Sequence, residues 1–431
     1  MKAFLFKNSS IAPLVVFRIF FGFLLAAESF GAIATGWVKN VLIEPKFTFS
    51  FIGFEWLQPL PGYGMYFYFV LMGIFGIAIM LGYRYKIAII GFTILWAGVY
   101  FMQKTAYNNH YYLLLLISLY MVFFPANHSF SLDVKQNRVA EQFVIPKWIG
   151  LVFIVQVTFV YVFAAFAKIY PDWLNGTFTK LLLQGAAPNS FFLDIFSKPA
   201  FYLFIAYMGI GYDLLIVPLL LFKKTRTIAL LFSIVFHIFN AIFLQIGIFP
   251  FFALSFSLFF YPSETINRIF LKRKNDTYPN ETTFFGTKIL YFFFIPFLFI
   301  QFLLPLRHYL IKGDVLWTEE GHRLSWRMML RKREGFITFK IRDNATNLTT
   351  IHDFSKNVTP KQMAALSTKP DFIWQYCQHI KSEYQGKDVS IFIDCQNSIN
   401  NGAFKTLIDP KQDFAKAEWH FFKHNNWILL H

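Results

Sequence analysis

The sequence predicts a polytopic α-helical membrane protein, with about eight or nine spans and a C-terminal α+β soluble domain on the outer side. Three observations predict it. Several windows of 18 or more residues carry no charge, the length a helix needs to cross a bilayer. Every second segment between those windows is rich in lysine and arginine, as cytoplasmic loops are. After about residue 306 the apolar runs give way to alternating strand patterns and capped helices. Phenylalanine supplies 59 of the 431 residues and the mean hydropathy is +0.46, so lipid surrounds most of the chain before that point.

In order, the spans fall at roughly 11–36, 65–83, 87–103, 109–125, 148–168, 200–222, 227–246, 248–262 and 288–306. The first apolar run (about 11–38) is too long for the core of a signal peptide and lacks a small-residue cleavage site, so it reads as a span. Lys2 and Lys7 precede it. Arg84 and Lys86 follow the second span, and Lys135, Arg138 and Lys147 follow the fourth. Lys223, Lys224 and Arg226 follow the sixth, and Arg268, Lys272, Arg273 and Lys274 the eighth. If all nine segments cross, these loops share one face, which puts the N-terminus in the cytoplasm and the tail outside. They also explain the net charge of +16 without nucleic acid, because no basic patch with interleaved aromatics stands elsewhere.

The segment 39–63, with Phe54, Trp56, Pro59 and Pro61, reads as an interfacial helix and turn on the outer side. The chain divides into a transmembrane domain carrying the site (1–306) and an α+β domain (307–431). In the tail, 336–342 alternates as a strand, and Asp343-Asn344 supplies a turn. Thr359 and Pro360 begin a helix running to about 384, and 389–394 is a second strand. The two cysteines, Cys377 and Cys395, leave a disulfide open. With no CxxC and no His/Cys cluster, no metal is expected.

The unusual residues gather at the outer ends of the spans. Lys168 ends a long apolar run and stands five residues before Trp173. Such an amine either snorkels to the headgroups, with Trp173 as interface anchor, or is desolvated and acts as a neutral base. Asn108, Asn109 and His110 open the fourth span, as helix caps or as groups that orient a polar ligand. His237 and Asn240 share one face of the seventh span, to bond another helix or to face a ligand. Glu28 and Asp213 read as structural buried carboxyls, with Arg18 available to neutralise one of them. His128 falls on the inner side, away from Lys168. In the tail, Met328 and Met329 suit a flexible apolar wall, and Arg323, Arg327, Arg331, Lys332 and Arg333 suit headgroups or a carboxylate. No Gly-rich phosphate loop and no Ser/His/Asp arrangement is present, which sets aside ATP-driven transport and ordinary hydrolysis.

Taken together these motifs resemble those of the vitamin K-dependent γ-glutamyl carboxylases and their bacterial relatives with the same horizontally transferred transmembrane (HTTM) domain. The resemblance runs from about Pro13 to Pro410 and rests on order and spacing. Arg18 precedes Phe21-Gly22-Phe23; Trp56-Leu57 leads to Pro59-Leu60-Pro61; Met80-Leu81-Gly82 precedes Tyr83-Arg84. Lys104-Thr105 leads to Asn108-Asn109-His110, and Ala126-Asn127-His128 to Ser131-Leu132-Asp133. Lys168 precedes Asp172-Trp173, and His237 and Asn240 precede Ile246-Gly247. The tail adds Ser325-Trp326 with Met328-Met329, Ser398-Ile399-Asn400 and Asp409-Pro410.

The resemblance implies an enzyme that oxidises reduced vitamin K, a hydroquinone, with O2 to its epoxide and adds CO2 to the γ-carbon of a peptide glutamate. It implies Lys168 as the base, neutral among Phe163, Phe166 and Trp173, with Asn109 and His110 catalytic beside it. Asn108, His237, Asn240, Trp326, Met328 and Met329 are then cofactor-binding, and Ser325, His322 and Arg331 substrate-binding. The partners implied are membrane lipid, a quinone and a peptide or protein glutamate, with no metal. His322 stands where the animal enzymes have tyrosine, Arg331 where they have histidine, and Arg327 where they have an acidic residue. The short tail, and the lack of a cysteine in the first loop, point to a bacterial inner-membrane protein using a menaquinol-type hydroquinone, its tail periplasmic. A quinol epoxidase without peptide carboxylation, and a non-catalytic quinone- or lipid-binding membrane protein, are the alternatives.

Overall fold

The computed structural model describes residues 2–272 and 285–431. Arg273 and Lys274, counted above among the basic loops, lie outside the described residues. Among the described residues, nine apolar helices run in order: α1 (Ala12–Ala34), α2 (Gly64–Leu81), α3 (Tyr85–Met102), α4 (Asn109–Phe123), α5 (Trp148–Ala167), α6 (Pro199–Leu221), α7 (Arg226–Phe243), α8 (Phe249–Phe259) and α9 (Thr287–Leu310). Seven are long and apolar enough to cross a membrane; α4 and α8 are shorter. The 15 residues of α4 span about 22 Å at 1.5 Å each, against a hydrocarbon core of about 30 Å. Two of the nine expected spans are therefore short. Both short helices begin at the end of the bundle where the cavity described below opens.

Glycines let α1 and α2 approach closely. A Cβ on Gly22 would lie 2.3 Å from the Met80 nitrogen, and one on Gly76 2.6 Å from that of Ala26. At the far end from the tail, Asp133 accepts from the backbone nitrogens of Arg84 (2.8 Å) and Tyr85 (3.0 Å), tying two loops together. There β1 (Asn8–Ser10) pairs antiparallel with β2 (Val144–Pro146). Arg18 also works at this end, donating to the carbonyls of Ala126 (2.9 Å) and Phe130 (2.7 Å) in the turn that holds His128. It neutralises neither expected carboxyl, because ten residues, about 15 Å of helix, separate it from Glu28. Glu28 instead accepts from the Tyr111 hydroxyl at 2.6 Å.

In the tail, β3 (Arg333–Asp343), β4 (Thr349–His352), β5 (Val389–Ile399) and β6 (Lys405–Thr406) form an antiparallel sheet in the order β4-β3-β5-β6. The register sets Arg333 opposite Ile399 and Asp343 opposite Val389. Alternation turns Phe339, Ile341, Ile391, Ile393 and Cys395 into one core with α10 (Pro360–Leu366) and α11 (Pro370–Glu383). Thr359 and Gln362 form a reciprocal capping box at the start of α10. The single helix expected here breaks at 367–369, because Pro370 disfavours helical backbone in the residue before it. Cys377 and Cys395 are both buried in this core and both free.

Segment 39–63 departs from expectation. One π-helical turn, Lys39–Ile43, leads into irregular chain. Phe49 is fully buried in the tail core, 4.7 Å from the Phe372 ring, and Gln362 donates to the Phe47 carbonyl at 2.7 Å. Phe47 and Phe49 are drawn to the apolar face of α11, Phe51 and Phe54 pack on Phe101 of the bundle, and Trp56 is largely exposed, at 74%.

Candidate functional site

A cavity of about 870 Å³ lies between the ends of α4 to α7 and the tail, whose contribution is the segment 319–333 with α10 and the turn after it. Its two sides differ. Towards α6 and α7 it is lined by Phe204, Phe232, Val235, Phe236 and Phe239; towards the tail it is lined by arginine and lysine. Phe204, Phe232 and Val235 also show on the outer surface of the bundle, so the apolar side reaches the lipid-facing region.

The α5 helix ends in Lys168, and the chain turns at once into Pro171–Leu174. The Lys168 amine makes a short ion pair with the Asp213 carboxylate of α6 and lies 5.4 Å from the centre of the Trp173 ring. The two paired side chains are 11% and 6% exposed. The expectation of an amine enclosed by Phe163, Phe166 and Trp173 is thus corrected: Phe166 is 57% exposed, and the main neighbour is an anion. A buried cation needs a counter-charge, and Asp213 supplies it. So held, the amine has one orientation, and its positive charge is balanced on the spot.

The Asn108 side chain caps α4, accepting from the Tyr111 nitrogen at 2.7 Å. Asn109 is engaged at both ends. Its Nδ2 donates to the Arg327 carbonyl (3.0 Å) and its Oδ1 accepts from the Tyr107 hydroxyl (3.1 Å). That hydroxyl in turn accepts from the Leu324 nitrogen at 2.8 Å. His110 lies 5.4 Å, ring to ring, from Phe249 at the start of α8. His237 Nε2 meets the hydroxyls of Tyr161 (3.2 Å) and Tyr212 (3.0 Å), while its buried Nδ1 has no partner among the described residues.

The tail wall is strained. Leu324, Trp326 and Met329 all hold left-handed backbone, with φ of 59°, 57° and 48°, a conformation that persists only where surroundings dictate it. Tyr107 and Asn109 dictate it from one side. From the other, Tyr170 donates to the Leu330 carbonyl. Asn400 accepts from the Lys332 nitrogen (2.9 Å) and donates to Asp172 (2.8 Å), which brings the Ser398-Ile399-Asn400 motif against the Lys168 turn.

Charge crowds the same wall. Glu319 pairs with Arg331 and, at 3.0 Å, with Arg333. Burial pushes its carboxyl up, but these arginines and the other cations nearby hold it well below the usual range. Burial, with Arg331 beside it, pushes His322 well below the usual histidine value, so its ring is neutral. Behind them Asp371 joins Lys104 (2.9 Å) to Arg323 (2.7 Å). Burial raises the Asp371 carboxyl, and Arg323 and Lys104 more than reverse this, holding it at about 2. Burial lowers the Lys104 amine to about 8.

Of the residues singled out in the sequence, Lys168, Asn108, Asn109, His110, His237, Asn240, His322, Met328, Met329 and Arg331 line this one cavity. Trp326 and Ser325 do not. Trp326 is fully buried behind the wall, stacked on Tyr112 at 5.0 Å, and Ser325 donates to the His322 carbonyl. Sequence reasoning passed over Asp213, Glu319 and Lys369 as site residues. Asp213 carried a signal, since a lysine at the end of one span asks for a carboxyl in another. For the other two, nothing in the sequence foretold the fold of the tail against the bundle.

Fold and site define a helical membrane protein with an extramembrane α+β domain, the two sharing a cavity that is apolar on one side and cationic on the other. Residues 6–264 match the HTTM domain family, and residues 286–431 match the lumenal domain of vitamin K-dependent gamma-carboxylase. The chain belongs to this HTTM-domain, gamma-carboxylase-like family. No solved structure matches it.

Proposed function

We propose that the protein is a membrane-bound, quinone-dependent γ-glutamyl carboxylase with Lys168 as its base. The Lys168–Asp213 pair in the cavity wall carries the reading, together with family membership. The cavity suits a reduced vitamin K: its aromatic side accepts a fused ring and reaches lipid, and His237 Nδ1 and Thr179 Oγ1 are buried polar atoms in its wall without partners among the described residues. When bound, this hydroquinone would be oxidised by O2 to its epoxide and would supply the strong base that removes the γ-proton of glutamate so that CO2 can add.

The chain's own residues do the rest. In its neutral form Lys168 takes the proton of the hydroquinone hydroxyl, and Asp213 balances the charge that the amine then carries. His237 and Asn240 orient the ring, with Tyr161 and Tyr212 fixing His237 from behind. Asn109 and His110 act beside the reacting oxygens. Arg331, oriented by Glu319, holds the glutamate carboxylate with His322 close by. The methionines and Phe249 exclude water from the carbanion. The division at residues 1–306 and 307–431 belongs to this reading. So do a cytoplasmic N-terminus, a periplasmic tail in a bacterial inner membrane, and menaquinol as the physiological quinone. The orientation is supported by the basic loops gathered at the end away from the cavity.

A quinol epoxidase without peptide carboxylation is the second reading, favoured by the unusual His322, Arg327 and Arg331 on the glutamate side. Purified protein is given reduced vitamin K, labelled bicarbonate and a Glu-containing peptide, alongside Lys168→Ala. Epoxide and labelled peptide that both vanish in Lys168→Ala support the proposal. Epoxide without labelled peptide supports the second reading. Neither product from the unmutated protein ends both.

A further inference from the structure

Lys369 lines the cavity from the turn between α10 and α11. Pro370 keeps the residue before it extended, with φ −125° and ψ 114°, and so out of either helix. The side chain is half-buried, and its amine lies 5.5 Å from the centre of the Phe372 ring. Among the described residues that amine is in no ion pair and no hydrogen bond. Desolvation, with Arg323 and Arg331 nearby, lowers it to about 8 against the opposing pull of Glu319 and Asp371. At pH 7 about one such amine in ten is neutral, against fewer than about one in a thousand for an ordinary lysine. The wall around it is short of anions. Glu319 is shared by Arg331 and Arg333, and Asp371 by Lys104 and Arg323. Arg331 is 6% exposed, and its buried Nε has no partner among the described residues. A buried donor without an acceptor is costly, and an anion formed on a neighbouring side chain would relieve it.

We infer that Lys369 is a carbamylation site: its neutral amine takes up CO2 as a carbamate whose oxygens accept from Arg331. The nitrogen lone pair forms the new N–C bond, one C–O π pair of CO2 moves onto oxygen, and the nitrogen gives a proton to water. Nothing is oxidised or reduced. The side chain changes from a cation to an anion, and charge-assisted bonds to a guanidinium hold the adduct against loss of CO2. The other amines of this region are unsuited. Lys168 and Lys104 each stand against a carboxylate, Asp213 and Asp371, which would repel a carbamate. Lys361 is exposed, so a carbamate there would be hydrated rather than held. The inference goes beyond the carboxylase reading, since the step needs CO2 but neither quinone nor glutamate.

The full-length protein in phosphatidylcholine nanodiscs, without quinone or peptide, is equilibrated with isotope-labelled CO2 at about pH 8, where about half of such an amine is neutral. Carbamates are trapped as ethyl esters with triethyloxonium, and mass spectrometry reads the label at each lysine. Lys369 should carry at least about tenfold more than Lys361, Lys104 or Lys168, a comparison made within one folded molecule. Arg331→Gln should lower the Lys369 label by about tenfold, as the loss of a charge-assisted bond requires. The buried Cys377 and Cys395 report that this variant is folded by refusing maleimide. No label at Lys369, a label no greater than at Lys361, or one unmoved by Arg331→Gln in the folded protein overturns the inference. Epoxide and labelled peptide formed without any Lys369 carbamate sink this inference alone. A Lys369 carbamate in a protein that makes neither product sinks the reaction alone.

Discussion

Replacing Asp371 with asparagine removes the carboxylate shared by Lys104 and Arg323, and its effect can be worked from their geometry. The carboxyl sits at about 2 against an ordinary 3.8. At about 1.4 kcal/mol per pH unit, the ionised form is favoured by about 2 kcal/mol despite burial. The folded value lies below the unfolded one, so this stabilisation is present above about 3.8 and is lost as the pH falls through about 2. Asparagine also leaves two cations together without an anion, which raises the loss at neutral pH to about 3–5 kcal/mol. Lys104→Met should behave differently. Arg323 keeps its two bonds to Asp371 (2.7 and 3.2 Å), and a desolvated amine is removed. Lys104 binds its proton less tightly folded than unfolded, so its own contribution improves as the pH rises from about 8 towards 10.5. At pH 7 its replacement should cost under about 1 kcal/mol. Hydrogen exchange of α11 and of 319–333 in nanodiscs reads both variants. Asp371→Asn should speed exchange about a hundredfold or more, and Lys104→Met less than about tenfold. Equal acceleration in the two, or none in Asp371→Asn, would refute the view that this triad pins the tail to the bundle.

Asp213→Asn leaves the Lys168 amine without its anion, and epoxide formation should fall by about a hundredfold or more, with partial recovery in Asp213→Glu. Gly22→Ala places a methyl 2.3 Å from the Met80 nitrogen and should lower the thermal midpoint in detergent by the equivalent of about 1–3 kcal/mol, whereas Gly31→Ala, with open space around it, should not. Burial pushes the Cys395 thiol up to about 12 and the Cys377 thiol well above its usual value, so neither should react with maleimide until the tail unfolds. Asp371→Asn should bring that labelling forward.

The membrane helices were legible because each is a local statement: a long apolar run has one cheap solution in lipid. The basic loops were equally legible, and so were β3, β5 and the Thr359 cap, whose signals lie within a few residues. What could not be read were contacts made across the chain. Phe49 falls in the segment that reads as interfacial, yet it completes the tail core more than 300 residues before α11, because aromatic character fits either environment. Lys168 was visible as an anomaly and Asp213 as another, but nothing local says that the end of α5 meets the middle of α6. The break at 367–369 was signalled by Pro370 and was overrun by the apolar pattern around it. Trp326 stood out by motif, but whether a tryptophan faces a cavity or backs it is decided by its partner, Tyr112.

The wall opposite Lys168 has a further consequence for how the molecule comes into being. Residues 319–333 leave the ribosome after every apolar helix has been made, and Leu324, Trp326 and Met329 take up their left-handed backbone only against Tyr107, Asn109 and Tyr112. A nascent chain halted before that segment holds the lysine, its aspartate and the bundle side of the cavity but not the tail wall. The cavity is therefore a product of finished biogenesis. Quality control that samples tail docking, by protease or by chaperone, would discriminate complete molecules from incomplete ones without testing any reaction.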